Sequence, residues 1–235
     1  MTTSIKAQTD SLSVKVALGM RGKWQTGNSN QFAINPSLLV LLGNQKASTE
    51  LSLSYHYLKV EEFRILNEFW TGATTGFMSS KRIFPLVAVH YGFADSYKIN
   101  RMFLAGAGGG MNITKPKANL KAQLYAYGGY INMVFDEEVR HSGPALGASL
   151  RFETNTARRA QFKLKLMSYN SMKDTSFWGL NNEVTIAWRV VKGLFVTLSH
   201  STIFNNISAE SIKKTNTLML FGLQYQFFNH NNSKS

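Results

Sequence analysis

Residues 215–227 read TNTLMLFGLQYQF. Met219, Phe221, Leu223, Tyr225 and Phe227 take every second position, with Leu218, Leu220, Gly222, Gln224 and Gln226 between them. A period of two belongs to an extended strand with two unlike faces. The fold turns on whether the aromatic face of this strand meets a protein core or lipid.

The same period recurs along the whole chain. Twelve segments carry it, near 11–25, 30–42, 49–59, 62–78, 82–94, 99–114, 118–134, 143–154, 160–170, 176–191, 194–205 and 215–228. Turn-forming runs such as TGNSN, LGNQKAS, KPKAN and NNISAESIKK separate them. No linker divides the chain and no helical stripe outlasts two turns. In the first segment Leu12, Val14, Val16, Leu18, Met20 and Trp24 alternate with Ser13, Lys15, Ala17, Gly19, Arg21 and Lys23. Phe162, Leu164 and Leu166 alternate with Lys163, Lys165 and Met167 in the same way.

Composition narrows the choices. The 235 residues are 44% hydrophobic and 17% charged, which excludes a disordered chain. No run of 18 apolar residues offers a transmembrane helix. Mean hydropathy is −0.15, a value open to a soluble β protein and to a membrane barrel, whose alternating strands average out. The absence of cysteine excludes disulfides and thiolate metal sites. A net charge of +13 raises nucleic acid, anionic lipid or anionic solutes as partners.

A soluble sandwich would bury the greasy face and wet the charged one. A membrane barrel does the reverse. Four features favour the barrel. The segments reach about 10 residues or more, the length of a tilted bilayer crossing. Twelve is even, which returns both termini to one side. Trp24, Tyr55, Tyr57, Phe69, Trp70, Trp178, Tyr225 and Phe227 gather near segment ends, as interfacial girdles do. Small Ser, Thr, Gly and Ala residues stand opposite the large apolar ones. The expected fold is therefore all-β: a single transmembrane antiparallel up-and-down barrel of about 12 strands over residues 11–228. Residues 1–10 are expected to be an N-terminal remnant, with IKAQ read as the tail of a removed leader, and 229–235 a periplasmic tail.

With both termini periplasmic, the connections after even-numbered strands are the short ones. They carry Lys46, Lys81, Arg82, Lys115, Lys117, Arg158, Arg159 and Lys192, with only Glu50 as a nearby acid. Glu61, Glu62, Asp95, Asp136, Glu137, Glu138, Asp174 and Glu210 fall in or beside the opposite loops. A basic inner rim suits anionic headgroups.

The residues also resemble a known family. QTGNSNQF at the first hairpin, FRILNEFWTGATTG, RIFPLVAVHYGFADSYKINRMFLAGAGGGMNI, LRFE and KTNTLMLFGLQYQF together resemble the salt-induced outer membrane proteins, catalogued as domain of unknown function 481, above all their Bacteroidetes-type members. The resemblance spans most of residues 11–228, and its most specific piece is Arg-x-x-x-x-Gly-x-Gly-x-Gly at 101–110, with Met102 where an aromatic is usual. It implies a Gram-negative outer-membrane barrel and no particular reaction.

Parity places Lys15, Arg21, Lys23, Arg64, Lys121, Arg151, Lys163, Lys165 and Arg189 inward, with Glu68, Glu153 and Glu183. Two outcomes follow. The excess of positive charge lines a narrow passage for small anions, or Arg–Glu pairs with inward Trp70, His56 and Tyr125 fill the lumen and leave a structural or adaptor barrel.

Other chemistry is poorly supplied. A barrel lipase needs Ser, His and Asn together at the membrane edge. His200 has Leu198 and Thr202 as same-face neighbours, and His141 beside Ser142 shows no orienting group. AGAGGGMN lacks the Lys-Ser/Thr of a phosphate loop and reads as glycines that let rings such as Tyr125 and Tyr127 pack across a strand. No cluster has metal spacing, and no cofactor is expected. The basic residues split among lumen, rim and loops, which argues against nucleic acid. The expected partners are outer-membrane lipid and lipopolysaccharide, the barrel-assembly machinery during insertion, and a membrane-protein complex. Gly222, Tyr225 and Phe227 match the spacing of a C-terminal insertion signal, although Leu220 replaces its usual polar residue and Phe227 is not terminal.

Overall fold

In the computed structural model the described residues are 12–25, 31–44, 46–115, 120–135, 140–155, 159–206 and 214–230. They form twelve strands: β1 (Ser13–Gln25), β2 (Gln31–Gly43), β3 (Ala47–Val60), β4 (Phe63–Phe77), β5 (Ile83–Ala94), β6 (Ile99–Asn112), β7 (Leu120–Phe135), β8 (Arg140–Asn155), β9 (Ala160–Ser171), β10 (Trp178–Val191), β11 (Leu194–Asn205) and β12 (Thr215–His230). A single 3-10 turn, Asp95–Tyr97, lies between β5 and β6. Each strand pairs antiparallel with its sequence neighbours, and β1 closes on β12 through pairs such as Leu18↔Tyr225 and Met20↔Leu223. Closure leaves no unpaired edge, the condition for strands to sit in hydrocarbon.

The alternation sorts cleanly into two faces. Outward stand Leu18, Met20, Leu51, Leu53, Val87, Val89, Ile186, Leu198, Met219, Phe221 and Leu223, all exposed. An apolar band running round the barrel is far larger than a soluble monomer presents to water. Aromatics bound it at both ends. Phe32, Tyr57, Tyr130 and Trp178 lie toward the loop end, with Phe32 edge-on to Tyr57 at 6.3 Å and Trp178 against Phe204 at 4.7 Å. Phe77, Trp188, Tyr225 and Phe227 lie toward the end that carries the termini. The aromatic face of β12 thus points away from the protein.

Trp70 departs from the girdle reading. It shares the inward parity of buried Glu68 and packs against the interior cluster. Its bulk fits there because Gly92 on the neighbouring strand has no side chain: a Cβ at Gly92 would lie 2.3 Å from the Trp70 ring. The side chains of Trp24 and Arg64 fall outside those described.

Candidate functional site: the lumen

The lumen has two unlike halves. Toward the loop end it is apolar. Ile131, Met133, Met102 and Leu104 project inward from β6 and β7 and are almost fully enclosed. Two connecting segments fold back onto them. The 3-10 turn after β5 delivers Tyr97, and the segment 172–177 between β9 and β10 delivers Phe177; their exposures are 1% and 0%. The Tyr97 hydroxyl donates to the Ile203 carbonyl on β11 at 2.6 Å, crossing the interior. Phe177 stacks on His141 with ring centres 3.9 Å apart and meets Phe135 edge-on.

Local chemistry shapes both segments. Ser96 donates to the buried Glu68 carboxylate, and Asn67 donates to Asp95 at 2.8 Å, which ties the 3-10 turn to β4. Asp174 accepts from the Ser176 N–H at 3.0 Å and the Ser176 hydroxyl at 2.7 Å, while its own carbonyl accepts from the Phe177 N–H at 2.9 Å. That turn aims Phe177 into the barrel. The two Ser176 hydrogen bonds hold the Asp174 carboxyl below its ordinary value.

From mid-barrel to the terminal end the lumen is charged, with Arg21 and Glu183 just on the loop side of the middle. Arg21 on β1 reaches Glu183 on β10 at 3.2 Å. Lys15 on β1 lies 3.9 Å from Glu153 on β8, and Glu153 pairs in register with Lys121 and Lys163 on its two neighbouring strands. Arg151 on β8 is ion-paired with Glu50 on β3, and Lys165 on β9 approaches the other oxygen of Glu50 at 4.0 Å. In the ring β9 and β3 are six strands apart in either direction, so this last contact spans the full width. Asn35 and His56 bond at 2.5 Å on the inner face, and Gln226 donates to Gln161 at 3.2 Å.

The residues singled out from the sequence fall as follows. Lys15, Arg21, Lys23, Lys121, Arg151, Lys163, Lys165 and Arg189 have inward register, as do Glu68, Glu153 and Glu183. Lys23 and Arg189 sit at opposite rims, and Lys23 donates to Gln31 at 2.7 Å. Arg64 follows a bulge between Leu58 and Lys59 that sets its backbone opposite Lys59. Glu50, noted above only as an acid near the short turns, belongs among the inward residues. It lies on β3 with the inward parity of Ser52, Ser54 and His56, and that parity was the signal available in the sequence. Among the described inward residues eight basic and four acidic groups leave an excess of four positive charges.

Tyr97, Phe177, His90 and Tyr127 were not singled out as lumen-filling groups. Tyr97 and Phe177 sit on connections, where period-two reasoning has no purchase. The glycines give a partial signal for Tyr127. A Cβ at Gly147 would stand 2.3 Å from the Tyr127 ring, and one at Gly110 would stand 2.4 Å from the Phe84 ring. Glycines under inward aromatics are what lets the wall hold them.

Hydrolytic chemistry finds no constellation among the described residues. His141 Nε2 and Ser171 Oγ are 2.9 Å apart, but Ser171 is fully enclosed and its hydroxyl sits 3.3 Å from the backbone N–H groups of Lys173 and Asp174. No substrate carbonyl reaches it. His200 faces outward between Val184 and Met219, while Ser199 turns inward to Thr185. No group of three metal-ligating side chains occurs among the described residues.

Comparison with known proteins follows the same lines. The NanC porin superposes with a TM-score of 0.55 at 10% identity, covering 88% of this chain and 98% of that one. An outer-membrane channel from Pseudomonas putida F1 superposes with a TM-score of 0.50 at 9% identity, covering 97% and 99%. At such identities the likeness is one of fold alone: a closed antiparallel β-barrel like that of these porins and channels. No curated protein matches the chain. The sequence matches the family described as protein of unknown function, DUF481, over residues 16–227, and the chain belongs to that family.

Proposed function

We propose that the chain is an integral barrel of a Gram-negative outer membrane whose lumen is closed by its own side chains, and that it serves as a structural or adaptor subunit of a surface assembly. The observation that carries this reading is the set of contacts between opposite walls: Lys165 to Glu50 at 4.0 Å at one level and Tyr97 to Ile203 at 2.6 Å at another. A twelve-strand ring lies between eight-strand barrels, which side chains fill, and sixteen-strand porins, which conduct. Here the plug and the ion pairs supply the filling. Outer-membrane lipid and lipopolysaccharide surround the apolar band, and the barrel-assembly machinery inserts the chain by its last strand.

A second reading is a narrow passage for small anions. The excess of four inward positive charges favours it, as does the solvent exposure of Lys165 and Glu183, whose side chains are 36% and 41% exposed within the charged half. Planar-bilayer recordings separate the two. Silence supports the closed barrel. A steady current that prefers anions supports the passage.

A further inference from the structure

A small cavity lies inside the barrel among residues of β4, β5, β7, β8 and β9, beside the ion pairs that Arg151 and Lys165 make with Glu50. Tyr127, Ser149, Arg151, Lys165 and His90 are among its lining residues. It leaves about 10 Å³ for the centre of a water-sized particle, which is room for one such particle. Three polar atoms on these residues are buried without a protein partner: the Tyr127 hydroxyl, Ser149 Oγ and Arg151 Nε. Tyr127 and Ser149 are more than nine-tenths enclosed, with exposures of 5% and 8%. Buried polar groups of this kind are normally satisfied.

The donors are fixed in place. The Arg151 guanidinium is held by Glu50 through Nη1 and lies over the Tyr125 ring at 4.8 Å. Its Nε–H therefore has a set position. Tyr127 stacks on His90 with ring centres 6.3 Å apart, and its ring lies against Gly147. Lys165 adds an ammonium to the same lining.

The chemistry of this set is lopsided. Arg Nε–H and Lys N–H groups only donate, and the two hydroxyls donate as readily as they accept. Arg151 and Lys165 share Glu50, and Glu183 beside Lys165 is itself paired with Arg21, so three cations and two carboxylates leave a local excess of one positive charge. A water meets the hydrogen-bond count, accepting from Arg151 and donating to the two hydroxyls, but leaves the positive charge in place. An anion only accepts, and it gains charge-assisted bonds from Arg151 and Lys165.

We propose that this cavity is a binding site for a single small anion of halide size, filled by chloride in a saline medium. Phosphate and carboxylates are too large for the space. The anion satisfies Tyr127, Ser149 and Arg151 together and offsets the uncompensated charge. The site stands apart from the question of conduction, because an anion held there is detected without any current.

The test is diffraction from crystals of the full chain, folded in detergent and soaked in sodium bromide, with data at the bromine absorption edge. The expected result is an anomalous peak within hydrogen-bond reach of Ser149 Oγ and Arg151 Nε. In Ser149→Ala, checked for folding by heat-modifiable gel mobility, the peak is expected to fall at least about twofold relative to the parent, since one of the four donors, Tyr127, Ser149, Arg151 and Lys165, is lost. No anomalous peak in the parent protein, with density of water height in its place, overturns the proposal. A peak unchanged in both Ser149→Ala and Tyr127→Phe overturns it as well.

Discussion

Lys165 on β9 and Glu50 on β3 approach to 4.0 Å from opposite sides of the ring, and Arg151 on β8 pairs with the same carboxylate. One acid thus braces two basic residues against the far wall. Glu50→Gln preserves the shape of the side chain and removes its charge, which takes away the carboxylate that Arg151 and Lys165 share and leaves Lys165 with Glu183 alone. A cost of about 1–3 kcal/mol is expected, since the group is largely enclosed but not dry. Glu62→Gln, at an exposed pair with Lys59, is expected to change stability by less than about 0.5 kcal/mol. Urea unfolding in detergent, followed by loss of heat-modifiable mobility, measures both. Equal midpoints for Glu50→Gln and the parent protein would contradict the brace.

Phe177 is the largest group that the segment 172–177 places inside, stacked on His141 and edge-on to Phe135. Removing a buried Phe ring in a packed core costs about 3–5 kcal/mol. Here the plug closes a barrel that the ladders already hold together, so Phe177→Ala is expected to open the lumen rather than unfold the protein. Bilayer recordings of Phe177→Ala should show openings that the parent lacks. A variant as silent as the parent would remove Phe177 from the closure.

The Asp174 turn gives a pH dependence with a definite sign. Its carboxyl is held below the ordinary Asp value by Ser176. A depressed acid contributes order that is fully present above its unfolded value and is lost as pH falls through the folded value. Recordings from pH 8 down to 5 should therefore be identical. Openings are expected only below the ordinary range of an Asp carboxyl, and Asp174→Ala should show them at neutral pH. Openings that begin between pH 7 and 5 would point to another group.

The two faces of β1 and β12 should respond oppositely to charge. Leu18 faces outward midway along β1, and Gln224 faces inward on β12. Leu18→Arg is expected to cost about 2–4 kcal/mol in lipid bilayers, the midplane value for a barrel exterior. Gln224→Arg is expected to cost less than half of that. Folding into vesicles at graded urea measures the pair. Equal costs would contradict the assignment of the outward face to lipid.

Tyr225 and Phe227 stand outward on the last strand, near the terminal end. Replacing both by Ser is expected to lower the amount of chain inserted in the outer membrane, with the remainder degraded or aggregated. Normal membrane levels of the double variant would count against a role in insertion.

The fold was legible because a lipid-facing strand obeys one simple rule. Leu18, Met20 and Leu223 had only one sensible direction, and the pattern also located the strands to within a few residues: the reading of 99–114 is observed as Ile99–Asn112, and 160–170 as Ala160–Ser171. The interior was legible only where charges marked it. Along β5 both faces are apolar, with Phe84, Leu86 and Ala88 inward and Ile83, Val87 and Val89 outward, so alternation carries no direction there. Tyr97 and Phe177 were hidden for a different reason. They act from connections whose course is set by hydrogen bonds from Ser96 and Ser176 rather than by any period. Glu50 is within reach of parity, since it shares the even positions of Ser52, Ser54 and His56 on β3.

Closure of the lumen is tested most directly by single-channel recording of the folded parent chain in planar bilayers at neutral pH. Silence at both polarities, from preparations that show heat-modifiable mobility, is the expected result. A steady conductance from the same preparations would contradict closure, and a preference for anions in that conductance would move the function to the narrow passage.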